Sequence, residues 1–286
     1  MIFSEKVGDS VAEINENDIM REEELLAIAN SNLLDDNLMT LVFDRNIEAT
    51  ELLLNIILQR DDLKVIEVLA QREYKNPMIG GRSITIDIYA KDGEDKVYDV
   101  EVQRASSGAD VHRARFHSSM IDSKMLKAQQ KFKEIHDSYV IFITEHDVMG
   151  AGQSLYHVDR MVKETGEYFG DGSHIIYVNG SYKDDSTPIG KLMHDFRCTN
   201  SADMFYKVLA DQVRYFKETE GGRKIMSETF ESLAEKRANE RAEETRIETL
   251  FNSIKNLMAS MKWTAEQAMA ALNISETDKE LLIPKL

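Results

Sequence analysis

Two consecutive apolar runs, each with acids in mid-run, make up "SITIDIYAKDGEDKVYDVEVQRA" from Ser83 to Ala105, and this stretch limits the possible folds most. Both runs are short and rich in β-branched and aromatic residues, and Asp92-Gly93 between them is a turn signal, so they read as a β-hairpin. Side chains alternate along a strand, so Ile84, Ile86 and Ile88 share one face while Thr85, Asp87 and Tyr89 share the other. In the second strand Tyr98, Val100 and Val102 face one way and Asp99, Glu101 and Gln103 the opposite way. This pattern predicts a sheet packed on a helix through one face only.

If the hairpin closes symmetrically about Glu94, Asp87 lies opposite Glu101 with Cβ atoms roughly 4.5–5.5 Å apart. Two carboxylates about 5 Å apart at an effective dielectric near 20 repel by roughly 3 kcal/mol. A divalent cation turns that repulsion into attraction. Hard oxygen ligands in small number suit Mg²⁺ or Mn²⁺, which keep several waters and accept phosphate oxygens. Gln103, on the same face, is placed to orient one such water. A solvated acidic face with its carboxylates splayed or paired to Lys91 and Lys96 satisfies the same pattern, and the residues alone leave both readings open.

Around the hairpin the periodicity predicts a helix over Asn37–Gln59, a strand over Lys64–Gln71 and a loop through "KNPMIGGRS". A helix is expected over Asp110–Lys133 and a buried strand over Ser138–Thr144, with another strand at "HIIYVN". Helices then follow: an amphipathic one at "MFYKVLADQVRYFKE", a break at Gly221-Gly222, a charged helix from about Ile225 to Met261, and a terminal hairpin. That hairpin carries N-cap signals at Thr264 with Gln267 and Ser275 with Asp278. The expected division is a polar extension over 1–33, an α/β domain over 34–200, amphipathic and charged helices over 201–244, and the helical hairpin over 245–286.

A wheel started at Arg113 places His117, Lys124, Lys127 and Lys131 within about 40° of it, beside an apolar face. Such a basic stripe next to an acidic hairpin is where a phosphate backbone would be held; an ordinary solvated face is the other reading. The formal net charge is −16, so a polyanion must meet a local basic patch rather than the average field. One cysteine and fourteen methionines fit a reducing cytoplasm. The N-terminus does not read as a signal peptide, and no apolar run reaches about 18 residues, so a soluble cytoplasmic protein without a membrane span is expected. Zinc spacing, a phosphate-binding glycine loop and a G-x-S-x-G elbow are all missing.

Asp87 in "TIDIYA", Glu101 and Gln103 in "VEVQ", the helix opening "VHRARFHSSMID" and the strand "YVIFITEHD" together resemble the PD-(D/E)XK nuclease superfamily, in its transposase-like or recombination-promoting branch. The likeness continues through "GQSLYHVDR", "DGSHIIYVNG", "GKLMHDF" and "KETEGGRKIMSE". It implies an α/β restriction-endonuclease-like core, here with an α-helical C-terminal tail, and metal-dependent cleavage of DNA phosphodiesters. By this resemblance Asp87 and Glu101 correspond to the two acids that hold Mg²⁺ or Mn²⁺, and Gln103 to the third motif residue. The chain departs from the superfamily pattern at Ile86, where the proline of the name would stand, and at Gln103, where lysine is usual; the transposase-like branch resembles this chain in having Gln there. The expectation is therefore a Mg²⁺-dependent DNA endonuclease whose C-terminal helices serve a protein partner or self-association. The rival is a catalytically idle nuclease-fold protein that works through those helices.

Overall fold

A computed structural model describes residues 16–286 apart from 77, 79 and 80; part of the loop read at "KNPMIGGRS" and the first half of the polar extension lie outside the described residues. The chain opens with α1 (Glu16–Asn30), then α2 (Asp36–Phe43) and α3 (Ile47–Ile57). The sequence suggests one helix over the last two. They are separated because Arg45 takes a left-handed φ of 54° and the Asn46 side chain accepts a hydrogen bond from Ala49 N at 3.1 Å, capping α3. A capping asparagine competes with helix continuation whatever the apolar periodicity around it.

The strands that follow are β1 (Val65–Tyr74), β2 (Ile84–Asp92), β3 (Val97–Gln103), β4 (Ser138–Thr144), β5 (Leu155–Val158), β6 (Met161–Val162), β7 (Glu167–Tyr168) and β8 (Ser173–Asn179). Six of them form one mixed sheet in the order β1-β2-β3-β4-β8-β5. β1, β2 and β3 form an antiparallel meander, whereas β3, β4 and β8 run parallel. The parallel step from β3 to β4 requires a crossover, which α4 (Val111–Met125) supplies. α5 (Pro188–Arg197), α6 (Lys207–Glu218), α7 (Glu220–Met261), α8 (Ala265–Ala271) and α9 (Glu276–Leu282) complete the chain.

Helices cover both faces of the sheet, not one. On one side Tyr98, Val100, Val102, Ile141 and Val178 pack with α2, α3, α5, α6 and the start of α7. On the other, Ile86, Tyr89, Val140, Phe142 and Tyr177 pack with Ala114, Met120 and Ile121 of α4. This is the α/β architecture of a restriction-endonuclease-like core with a helical C-terminal region. Ile28, Leu33, Val213 and Met226 join the first of these cores, so packing crosses both sequence boundaries placed at 33 and 200.

Gly221 and Gly222 do not break the helix as expected. Thr219 ends α6 and caps α7, accepting from Gly222 N at 3.0 Å. A Cβ at Gly222 would overlap the backbone of Tyr215, so the glycine permits close packing of the two helices. The last turns of α7 build a separate small core with α8 and α9, around Ile254, Met269 and Leu282. Among the described residues no helix is long and apolar enough to cross a membrane.

Candidate active site

The β2–β3 ladder runs from Lys91↔Val97 to Ile88↔Val100, the register that closure about Glu94 requires. Asp92 pins its turn: Oδ1 accepts from Glu94 N and Lys96 N at 2.9 and 3.0 Å, and Oδ2 from the Tyr98 hydroxyl at 2.8 Å. One step beyond Ile88↔Val100 the ladder gives way. Asp87 N donates to Glu101 Oε1 at 3.2 Å, and Val102 N donates to Asp87 Oδ2 at 3.0 Å. Each carboxylate thus takes an amide that a neighbouring strand would otherwise engage, and the two are drawn together between the strands.

β2 turns over at this point. Ile84 and Ile86 pack on the α4 side, whereas Ile88 and Ala90 pack on the opposite side. Beside Asp87, Gln71 of β1 has φ 51°, and its amide donates to Asp87 Oδ1 at 3.1 Å. Strict alternation cannot foresee such an inversion, so the shared face assigned to Ile84, Ile86 and Ile88 holds only within each half of the strand. Burial and the neighbouring Glu101 push the Asp87 carboxyl well above the usual carboxylate range.

Glu101 and Asp99 project from β3 toward α4, and both are fully buried. Burial, followed by the charge of Asp99, pushes Glu101 up to about 7. Burial, followed by the charge of Asp87, pushes Asp99 up to about 8. α4 answers with Arg113, whose guanidinium donates to Glu101 Oε2 at 2.5 Å, and with His117, whose Nδ1 lies 2.8 Å from Asp99 Oδ2. His117 is itself buried, and burial lowers its affinity for a proton. Asp99 Oδ1 is buried without a hydrogen-bond partner, and ligand atoms of Asp99, Glu101 and His117 lie within 4.8 Å of one another. Crowded carboxyls with a bare oxygen are the donor set a divalent cation would complete.

Gln103 emerges one step along the same face. A Cβ on Gly108 would overlap its Oε1, so glycine leaves room for this side chain at the lip of the site. Asp87, Gln103, Arg113 and His117 open onto one cavity of about 1020 Å³, whose wall also includes Arg82, Arg104 and Arg237. Arg237 reaches in from α7 and pairs with Asp36. Its contribution could not be foreseen from a position so distant in the chain.

The basic stripe is divided by the real length of α4, which ends at Met125 and not at Lys133. Arg113 and His117 face the acidic cluster, with His117 among the buried residues. Lys124 and Lys127 line a second cavity together with Lys91, and Lys131 lies in the loop beyond the helix, so the five residues do not share a helix face. Asp99 was legible only as a residue of the same parity as Glu101, and the pairing of His117 with it needed the placement of α4.

No curated protein and no solved structure matches the chain. A family model described as PD-(D/E)XK nuclease family transposase matches residues 41–182, the span that holds β1 to β8, the acidic cluster and α4. Together with the mixed sheet and the acids crossed between β2 and β3, this match places the region in a family whose nucleases typically use divalent metals: residues 41–182 form a domain of the PD-(D/E)XK nuclease family.

Proposed function

We propose that the chain is a divalent-cation-dependent endonuclease that cleaves DNA phosphodiesters at the Asp87–Glu101 crossing. The observation that carries this reading is the reciprocal pair of contacts from Asp87 N to Glu101 Oε1 and from Val102 N to Asp87 Oδ2, an arrangement that spends backbone amides on crowding two carboxyls. Asp87 and Glu101 would hold Mg²⁺ or Mn²⁺, with Asp99 Oδ1 within the same cluster. Once bound, the cation supplies charge for the scissile phosphate and lowers the pKa of water.

The remaining roles belong to the chain's own side chains. Arg113 neutralises Glu101 and lines the cavity, so it can pass from carboxylate to phosphate, both of which suit its planar fork. Gln103 carries no charge to lend; it orients water or a phosphate oxygen by hydrogen bonding. The Asp99–His117 pair braces β3 against α4 and fixes the direction of Glu101. Arg82, Arg104 and Arg237 at the cavity wall provide the local positive field that a chain of net charge −16 needs to approach DNA.

The test is nicking of supercoiled plasmid by purified protein with and without Mg²⁺ or Mn²⁺, beside Asp87→Asn. Cation-dependent nicking lost in the variant is the expected result. Absence of cleavage at millimolar Mn²⁺, with no cation-dependent stabilisation, hands the function to the rival: an idle nuclease fold that works through the separate helical core of α7, α8 and α9.

A further inference from the structure

α4 joins the cavity of the acidic cluster to a second groove near its C-terminal end. This groove, of about 640 Å³, is lined by Arg72, Lys75, Lys91, Lys124 and Lys127 against the acids Glu73 and Asp95. With Glu67, which pairs with Arg72, counted beside these two acids, five cations less three acids leave an excess of two positive charges there, in a chain whose formal net charge is −16. The charges are partly held in place: Lys91 pairs with Asp95, and the Arg72 guanidinium lies 3.8 Å over the Tyr89 ring. Lys124 and Lys127 are exposed and pair with no carboxylate among the described residues. The loop behind α4 adds an aromatic ring: Phe132 is 89% exposed and stands between Lys131 and Lys133. Basic side chains with an interleaved exposed aromatic are what a nucleic-acid strand engages, the cations on phosphate and the ring on a base or sugar.

Spacing gives the groove a place on the substrate. Eleven residues of helix separate Arg113 from Lys124, about 16 Å at 1.5 Å per residue. That equals about five base-pair steps of 3.4 Å.

We propose that this groove is a flanking-duplex site that grips the DNA backbone about five base pairs from the bond presented to Asp87 and Glu101, with the exposed Phe132 of the adjoining loop against the sugars. The proposal rests on the nuclease reading of the first cavity. Its contacts are with phosphate, so they favour no sequence, and they make substrate length on one side of the cut matter.

The experiment compares DNA hairpins with stems of about 4 base pairs, too short to reach the groove, and about 24 base pairs, by anisotropy with Ca²⁺ in place of Mg²⁺ and by cleavage with Mg²⁺ or Mn²⁺. Wild type should bind the long stem about tenfold more tightly than the short one. Lys124→Glu with Lys127→Glu should remove that advantage and reduce the salt slope by about two, while binding and cleavage of the short stem stay unchanged. Lys124→Gln with Lys127→Gln should act in the same direction if charge reversal impairs folding. Phe132→Ala should weaken long-stem binding without altering the salt slope. Equal wild-type affinity for both stems, or an unchanged length advantage and salt slope in both double variants, overturns the groove alone, provided plasmid is still nicked. Failure of wild type to bind or cut any DNA removes the nuclease reading and this one with it.

Discussion

Asp87, Asp99 and Glu101 are buried as neighbours, and burial first, with the charge of an adjacent carboxyl second, raises the proton affinity of each. Asp87→Asn keeps an oxygen for Val102 N, and its new NH2 group meets Gln71 once the Gln71 amide, which donates in the wild type, turns over to present its oxygen; the change removes one buried acid. It should therefore stabilise the cation-free protein by roughly 1 kcal/mol, about 2–4 °C in Tm, while abolishing the Tm rise on adding Mg²⁺ or Mn²⁺. Wild type should gain about 2.7 kcal/mol at a hundred times the cation's Kd. Gln103→Ala should keep that gain and slow cleavage, since the side chain is assigned to water or phosphate. The pH dependence has a definite sign. Glu101 and Asp99 titrate near 7 and 8 in the folded chain, above the unfolded carboxylate range. Between about pH 5 and 8 the folded state thus holds protons that the unfolded state has released, and stability falls as pH rises. Melting curves in chelator should show this decline, and saturating Mg²⁺ should flatten it; a Tm that climbs with pH in chelator would contradict the burial of these acids.

The meander of β1, β2 and β3 brings the acids together, and its turn decides the register. Asp92 holds three hydrogen bonds there, one from the buried Tyr98 hydroxyl. Asp92→Ala would leave that hydroxyl unpaired and free two turn amides, costing about 1–3 kcal/mol. Plasmid nicking should fall with it, because a slip of one residue would send Asp87 and Glu101 to opposite faces. Thermal melting and nicking of this one variant test the link between turn and site. α4 has the complementary role: its first half carries the counter-charges for the cluster and its last turn carries Lys124, so one crossover helix serves two cavities.

Taken as a molecule, the chain has two cores above and below the sheet and a third, separate one where α7 meets α8 and α9. Ile254 is fully buried in the third, so Ile254→Ala should cost about 2–5 kcal/mol there while the melting of the sheet core and plasmid nicking stay at wild-type values. α7 is also continuous with the nuclease region through Arg237. Arg237→Ala loses only an exposed pair with Asp36, which contributes at most about 1 kcal/mol to stability, yet it should weaken binding to all DNA sequences and lower the salt slope by about one.

How much of this could be read beforehand follows from the range of the forces involved. The hairpin, its turn at Asp92-Gly93, the caps at Thr264 and Ser275 and the candidate acids Asp87 and Glu101 were legible because local patterning and short hydrogen bonds determine them. The division of Asn37–Gln59 at Arg45, the end of α4 at Met125 and the inversion of β2 at Asp87 were not. Those outcomes depend on what packs against each segment. The same holds for the site: the residue types and their order lie within a few turns of chain, but burial of Asp99 with His117, the answer of Arg113 to Glu101 and the reach of Arg237 into the cavity exist only once α4 and α7 are laid against the sheet. Local sequence determines which groups are near in chain; desolvation and long-range contact, which set their charge, arise only in the tertiary fold.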